Sequence, residues 1–299
     1  MGFNLFICSI KQLILLFLYR LFVRFYPIAA WILGFFNPKA KQWHTGRKQI
    51  FNKITEALAT NTKPVIWMHC ASLGEFEQGR PVLEGLQKQY PNYSILLTFF
   101  SPSGYEVHKN YSGANYIFYL PIDNKNNAAK FLQITKPSIA IFVKYEFWHY
   151  YLTELKNRQI PTILIAGIFR KNQLFFKWYG GFYRTALNTF TYFFVQNESS
   201  KNLLLELGKT NVAVSGDTRF DRVASILEKD NSLDFIEAFK NDTLTIVVGS
   251  SWPKEEVLLV DYINRTSEKV KFIIAPHNIK EEQIQELKNS ITKKTVLFS

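Results

Sequence analysis

Two glutamates stand just beyond runs of apolar residues: Glu75 in Cys70-Ala-Ser-Leu-Gly-Glu75, and Glu146 in Lys144-Tyr-Glu-Phe-Trp148. Ligands of open α/β sheets gather outside the carboxyl ends of the strands, so acids that follow strands are the first candidates for chemistry. Around Glu75, small residues (Ser72, Gly74) let a ligand approach the backbone, and the carboxylate at or near the first helical turn is a candidate for catalysis. The same spacing, Ser72 with Glu75 three residues on, also describes a capping box. Glu146 lies among aromatics, where it can orient a sugar or cap the next helix. Arg219, in Gly216-Asp-Thr-Arg-Phe-Asp221, is a cation able to stabilise a leaving phosphate, or to pair with Asp217 or Asp221.

Three more loops follow candidate strands. Ser101-Pro-Ser-Gly-Tyr105 offers the hydroxyls of Ser101 and Ser103 and the small Gly104, suited to polar ligand contacts or to turning the chain. Gly249-Ser-Ser-Trp252, with Ser250 and Ser251, has a weak phosphate-loop shape without a Walker lysine. Ala275-Pro-His277 places Pro276 and His277 after the next strand. The two cysteines, Cys8 and Cys70, are too few and too far apart for a disulfide framework or a zinc cluster.

The elements that must position these residues alternate. Apolar runs at 65–69, 94–99, 116–120, 138–143, 162–166, 192–195 and 212–215 read as strands, with helices at 75–89, 126–134, 148–158 and 199–207 between several of them. Such a rhythm predicts a doubly wound parallel sheet covered on both faces. After a break at 216–222 and a helix and connection over 223–239, a second series begins. It has strands at 244–249, 271–275 and 295–298 and helices at 254–266 and 280–289, and it is incomplete as a free-standing domain. The expected domains are therefore 1–38, a membrane anchor or monotopic segment; 39–222, a first Rossmann-like lobe; and 223–299, a linker and partial second lobe.

The 299 residues carry a formal net charge of +12, with 47% hydrophobic and 20% charged residues, which excludes a disordered polymer. Residues 1–63 hold nine basic residues and one acid, in the most apolar part of the chain. That mixture suits an anionic membrane surface better than nucleic acid. A tilted span from about Phe3, or a monotopic pair of helices broken near Pro27, fits residues 3–36, and a basic amphipathic helix follows over 39–59.

Taken together, His69-Cys-Ala-Ser-Leu-Gly-Glu75, Tyr119-Leu-Pro-Ile-Asp123, Lys144-Tyr-Glu-Phe-Trp148, Gln196-Asn-Glu-Ser199, Ser215 to Arg222 and Ala275-Pro-His277 resemble, in order and spacing, the 3-deoxy-D-manno-octulosonic acid (Kdo) transferases of lipopolysaccharide synthesis. The resemblance implies a GT-B fold of two Rossmann-like lobes, the first for the acceptor and the second for the donor. It implies a membrane-associated, inverting, metal-free and cofactor-free glycosyltransferase that moves Kdo from CMP-Kdo to a lipid A precursor (lipid IVA) at the cytoplasmic face of the inner membrane, with no nucleic-acid partner. By the same resemblance Glu75 is the catalytic base, and Glu146 and Arg219 stabilise the transition state. Ser72, Gly74, Ser101, Ser103, Gly104, Ser250, Ser251, Pro276 and His277 would contact substrates, with histidine standing where the family has a nucleotide-binding arginine. The family's chain continues past the position of Ser299, so the second lobe is expected to lack part of its nucleotide site. An inactive fragment, or a membrane-tethered binding protein on the same fold, is the alternative.

Overall fold

In the first of two units, Met1–Ile226 and Leu227–Ser299, three helices precede the βα series: α1 (Gly2–Leu33), α2 (Pro38–Gly46) and α3 (Ile50–Leu58). The structure is a computed structural model that describes residues 2–227, 230 and 232–298. The series runs β1 (Val65–Cys70), α4 (Leu73–Gln89), β2 (Ser94–Phe99), α5 (Pro102–His108), β3 (Tyr116–Tyr119), α6 (Lys125–Thr135) and β4 (Pro137–Val143). It continues with α7 (His149–Asn157), β5 (Thr162–Gly167), α8 (Gly181–Leu187), β6 (Tyr192–Val195), α9 (Glu198–Glu206), β7 (Val212–Val214) and α10 (Arg219–Leu227).

The seven strands pair in parallel in the order β3-β2-β1-β4-β5-β6-β7. Successive side chains of a strand point to opposite faces, so a sheet with helices on both sides needs apolar residues at every position. β1 and β2 are buried along their whole length. Val65 and Trp67 enter one core with Leu96, Phe131, Phe142 and Tyr151. Ile66, Met68 and Cys70 enter the other with Leu97, Phe99, Phe76 and Leu83. The chain order reverses between β1 and β4, and a crevice at such a switch point is where ligands of this architecture bind.

α1 is one helix that passes through Pro27 without breaking, so of the two arrangements expected for this segment it is the single helix that forms and not the pair broken at Pro27. Its segment Leu13–Leu33 has the length and composition to cross a membrane. Yet Tyr19, Val23, Tyr26 and Ala30, spaced along one helical face, pack on the rest of the unit. The Tyr19 hydroxyl donates to Asp123, Arg20 Nε donates to the Tyr150 hydroxyl at 2.9 Å, and the Tyr26 ring meets Trp43 edge-on at 4.8 Å. The opposite face exposes Leu18, Phe22, Phe25 and Ile32.

The basic helix expected over 39–59 is two helices. Gln49 turns left-handed (φ 54°) between α2 and α3, and Gly46 lies so close to the Tyr119 ring that a Cβ would stand 2.2 Å from it. Arg47, one of the nine basic residues of the apolar region, is not a free surface charge. Its guanidinium lies over the Trp43 ring at 4.0 Å and donates to the carbonyls of Trp43, Phe100 and Leu120, at 3.1, 2.7 and 3.0 Å. Burial lowers its pKa to about 9.

Asp123 caps α7 from outside it, accepting from the backbone N–H of Tyr150 and Tyr151 at 3.0 and 2.9 Å. Burial pushes its carboxyl up to about 6, against the pull of these donors. Between the ordinary carboxyl range and that value the folded chain holds the proton that the unfolded chain has released. The associated stability is complete at low pH and is lost as pH rises through about 6. Urea denaturation of wild type and Asp123→Asn should therefore show the wild-type advantage shrinking by about 2 kcal/mol between pH 4 and 7.

The second unit holds α11 (Asp234–Lys240), β8 (Thr245–Ser251), α12 (Pro253–Arg265), β9 (Lys271–Pro276) and α13 (Glu281–Ser290), with β8 and β9 parallel. The strand expected at 295–298 does not form: residues 295–298 are irregular, and Phe298 stacks on Phe235 of α11 with ring centroids 4.4 Å apart. Val247, in the middle of β8, is 68% exposed, because the two strands have no further layer on that face among the described residues.

Candidate functional site

The switch point brings the two glutamates to neighbouring strand ends. Ser72 ends the turn after β1 and begins α4, with Glu75 in the helix's first turn. The capping box does not form: Ser72 makes no side-chain bond to the helix backbone, and its hydroxyl donates to the Glu75 carboxylate instead. Gly74 is exposed, and a Cβ there would meet only the Ser72 hydroxyl, at 3.9 Å. The buried Cys70 thiol, at the end of β1, is raised by burial first, and the nearby charges of Glu146 and Glu75 both add to it.

Beyond β4, Lys144 is left-handed (φ 69°). A non-glycine residue held in that conformation at a strand end is a strained turn kept in place by its surroundings. It delivers Glu146, only 9% exposed, to the end of β1. There Glu146 Oε2 accepts from Trp148 Nε1 at 2.6 Å and stands 3.3 Å from His69 Nε2. His69 is fully buried, and its Nδ1 lies 3.1 Å from the Thr98 carbonyl and 2.9 Å from the Thr98 hydroxyl. Trp148 Nε1 also lies 3.1 Å from His69 Nε2, so one indole donor faces both the ring and the carboxylate. The Thr98 hydroxyl also accepts from Trp67 Nε1 at 2.8 Å, so the carboxylate is tied through His69 to the sheet core. His69 has no role in the sequence reading beyond its place in a motif. A histidine ending a wholly apolar strand is the signal that could have found it, because a buried imidazole needs a partner.

Ser101 does not lie in an open loop. It is the N-cap of α5, accepting from Ser103 N at 3.3 Å, with its hydroxyl 3.0 Å from that of Ser103. Gly104 is inside α5 and buried, and a Cβ there would stand 2.3 Å from the Phe99 ring and 3.1 Å from the Ser72 carbonyl carbon. The backbone N–H of Ser101 donates to the Ala71 carbonyl at 2.6 Å. These contacts draw Ser101, Ser103 and Gly104 beside Ser72, Gly74 and Glu75.

Arg219 is 62% exposed and bonded to Asp217 through Nε and Nη2, with Nε 3.0 Å from both carboxylate oxygens. This arginine holds the Asp217 carboxyl below its ordinary range. The segment is fixed to α4 one turn beyond Glu75: the Thr218 hydroxyl donates to the Gln78 carbonyl at 2.5 Å, and Gln78 Nε2 donates to Asp217 at 3.4 Å.

In the second unit, Ser250 forms a left-handed bulge (φ 60°), and its hydroxyl lies 2.7 Å from His277 Nδ1. The His277 ring stacks on Trp252 with centroids 4.2 Å apart. Ser251 is buried and donates to Glu256 at 2.8 Å, and Pro276 pairs opposite it. Ser250 and His277 thus form one exposed polar pair, while the Ser251 hydroxyl is engaged within the unit. Among the described residues no three His, Cys, Asp or Glu side chains are grouped to hold a metal ion.

Residues 45–222, which span both glutamates, Ser72 to Gly104 and Arg219, match the family of 3-deoxy-D-manno-octulosonic-acid transferases (kdotransferases). The chain belongs to this family. It is 25% identical over 248 residues to the 3-deoxy-D-manno-octulosonic acid transferase of Chlamydophila psittaci, covering 79% of this chain and 56% of that one. It is 28% identical over 236 residues to the Aquifex aeolicus enzyme of the same name, covering 76% and 59%. The chain thus spans a little over half the length of these relatives. Among solved structures it is similar to the UDP-GlcNAc 2-epimerase of Neisseria meningitidis bound to UDP-GlcNAc, with a TM-score of 0.55 at 17% identity over 76% of this chain and 70% of that one. A further UDP-N-acetylglucosamine 2-epimerase gives 0.53 at 13% identity, over 77% and 66%. These likenesses show the fold, the GT-B type expected from the sequence.

Proposed function

We propose that the protein is a Kdo transferase that moves Kdo from CMP-Kdo to a phosphorylated lipid A precursor, lipid IVA, with inversion at the anomeric carbon. The observation that carries this reading is the pair of carboxylates at the carboxyl ends of β1 and β4, on the two strands that flank the switch point of a family member's first unit. Glu75 takes the proton of the acceptor hydroxyl as its oxygen attacks the anomeric carbon. The Ser72 hydroxyl, donating to Glu75, fixes the carboxylate's direction. Glu146, held by Trp148 and His69, places a fixed negative charge where positive charge grows on the sugar ring. The cytidine monophosphate departs carrying negative charge, and Arg219, oriented by Asp217, stabilises it. Ser101 and Ser103 supply hydroxyls for the acceptor. The chemistry needs neither metal nor cofactor. The exposed apolar face of α1 and the exposed basic residues of the first 63 hold the protein at the anionic cytoplasmic face of the inner membrane, where the acceptor lies.

Release of CMP from CMP-Kdo, followed with and without lipid IVA in detergent micelles, tests the reading. Release that depends on the acceptor is expected. Equal release without acceptor would make the protein a hydrolase, and no release under either condition would overturn the assignment.

A further inference from the structure

α7 has no cap of its own. Its N-cap is Trp148, whose side chain makes no bond to the helix backbone, and an indole carries only a donor. The first N–H groups of a helix need an acceptor from elsewhere. Asp123 supplies it: Tyr150 N–H donates to its Oδ2 and Tyr151 N–H to its Oδ1. Asp123 is buried on a segment that is itself tied down. The Tyr151 hydroxyl donates to the Pro121 carbonyl at 3.0 Å, Asn127 Nδ2 donates to the Ile122 carbonyl at 2.9 Å, and Arg47 Nε donates to the Leu120 carbonyl.

A third donor to this carboxylate comes from outside the βα series: the Tyr19 hydroxyl of α1 donates to Oδ2. Beside it Arg20 Nε donates to the Tyr150 hydroxyl, in the same first turn of α7. The Tyr19 ring also packs against His149 and Tyr150, with centroids 5.9 and 6.1 Å apart. Immediately before that turn, residues 144–148 are irregular. They start at left-handed Lys144 and end at Trp148, whose indole N–H donates to Glu146. The direction of Glu146 is therefore set from two ends, by β4 on one side and on the other by the α7 turn that Asp123 and Tyr19 hold.

We propose that Asp123 and Tyr19 are positioning residues for Kdo transfer: by capping α7 they fix Trp148 and, through it, the carboxylate of Glu146. α1 then takes part in shaping the site as well as in reaching the membrane. The proposal rests on the transferase reading, and it assigns a task to the Tyr119-Leu-Pro-Ile-Asp123 motif, to which that reading alone gives none. Both residues act through the backbone of α7 and not on the reacting atoms. Their leverage is large, because misplacing a catalytic group by about 1 Å costs about 10²-fold in rate.

Tyr19→Phe removes one hydroxyl and keeps the ring contacts, so it tests the link without unseating α1. In the full chain in detergent micelles it is expected to lower kcat for Kdo transfer by about three- to tenfold, with KM for CMP-Kdo unchanged. Asp123→Asn, with one acceptor oxygen in place of two, should lower kcat further, by about tenfold or more. In Glu146→Gln, whose charge is already gone, Tyr19→Phe should cost less than about twofold, because residues that act through one group are not additive. An equal loss in both backgrounds, or no loss in the wild type, would overturn the proposal. The nuclear magnetic resonance signal of the Trp148 indole, in protein labelled at its tryptophan nitrogens and assigned by its disappearance in Trp148→Phe, reads the positioning without any substrate. It should shift in Tyr19→Phe, and an unmoved signal would also overturn the proposal. A shifted signal in a protein that transfers no Kdo would keep the link from α1 to Trp148 and remove the transferase reading.

Discussion

Glu75→Gln is expected to slow Kdo transfer by about 10²–10⁴-fold, the usual contribution of a positioned base, with the thermal midpoint almost unchanged. The side chain lies in the first turn of α4, where a lost charge–dipole interaction costs at most about 1 kcal/mol. Ser72 can donate to the amide oxygen as it does to the carboxylate, so the local geometry survives the change. Single-turnover transfer at saturating acceptor, set beside calorimetry of the same samples, checks both halves. A variant that folds and transfers at the wild-type rate would remove Glu75 from the mechanism.

The second large effect is expected at Glu146. Glu146→Gln keeps the shape and an oxygen for Trp148 but removes the fixed charge, and transfer should fall by about 10²–10³-fold. Because burying a carboxylate is itself costly, folding stability should change by no more than about 1 kcal/mol. Glu146→Leu, which strands the Trp148 donor and the His69 ring, should lose stability as well as activity. A rate that falls only in step with stability across the two variants would reduce Glu146 to a structural role.

Most of the first unit could be read from the chain because its strands are near-continuous apolar runs buried on both faces, bounded by helical periodicity. The misreadings have local physical causes. Ser101-Pro-Ser-Gly104 reads as a turn, but serine followed by proline is also a helix start, and Gly104 is there because Phe99 leaves no room for a side chain. The break between α2 and α3 is set by Gln49 and by the approach of Gly46 to Tyr119, a contact between residues 73 positions apart that no local pattern announces. Residues 295–298 have strand composition but pair with no strand, and composition alone does not make a ladder. In the site, the positions of Glu75 and Glu146 after strands were legible, while the groups that hold them were not. His69 reaches Glu146 only because β1 pairs with β4, and Asp123 caps α7 across a gap of 27 residues. The Arg219–Asp217 pair is the bland alternative that the spacing had allowed, and it is compatible with a cation oriented for a leaving phosphate.

The most direct measurement of the central claim is the mass of the acceptor itself. Lipid IVA incubated with CMP-Kdo and membranes containing the protein as its gene encodes it should gain the mass of one or more Kdo residues, and membranes containing Glu75→Gln at equal abundance should yield none. Lipid IVA unchanged by the wild-type protein, or modified equally by both, would contradict the assignment of these strand-end carboxylates to Kdo transfer.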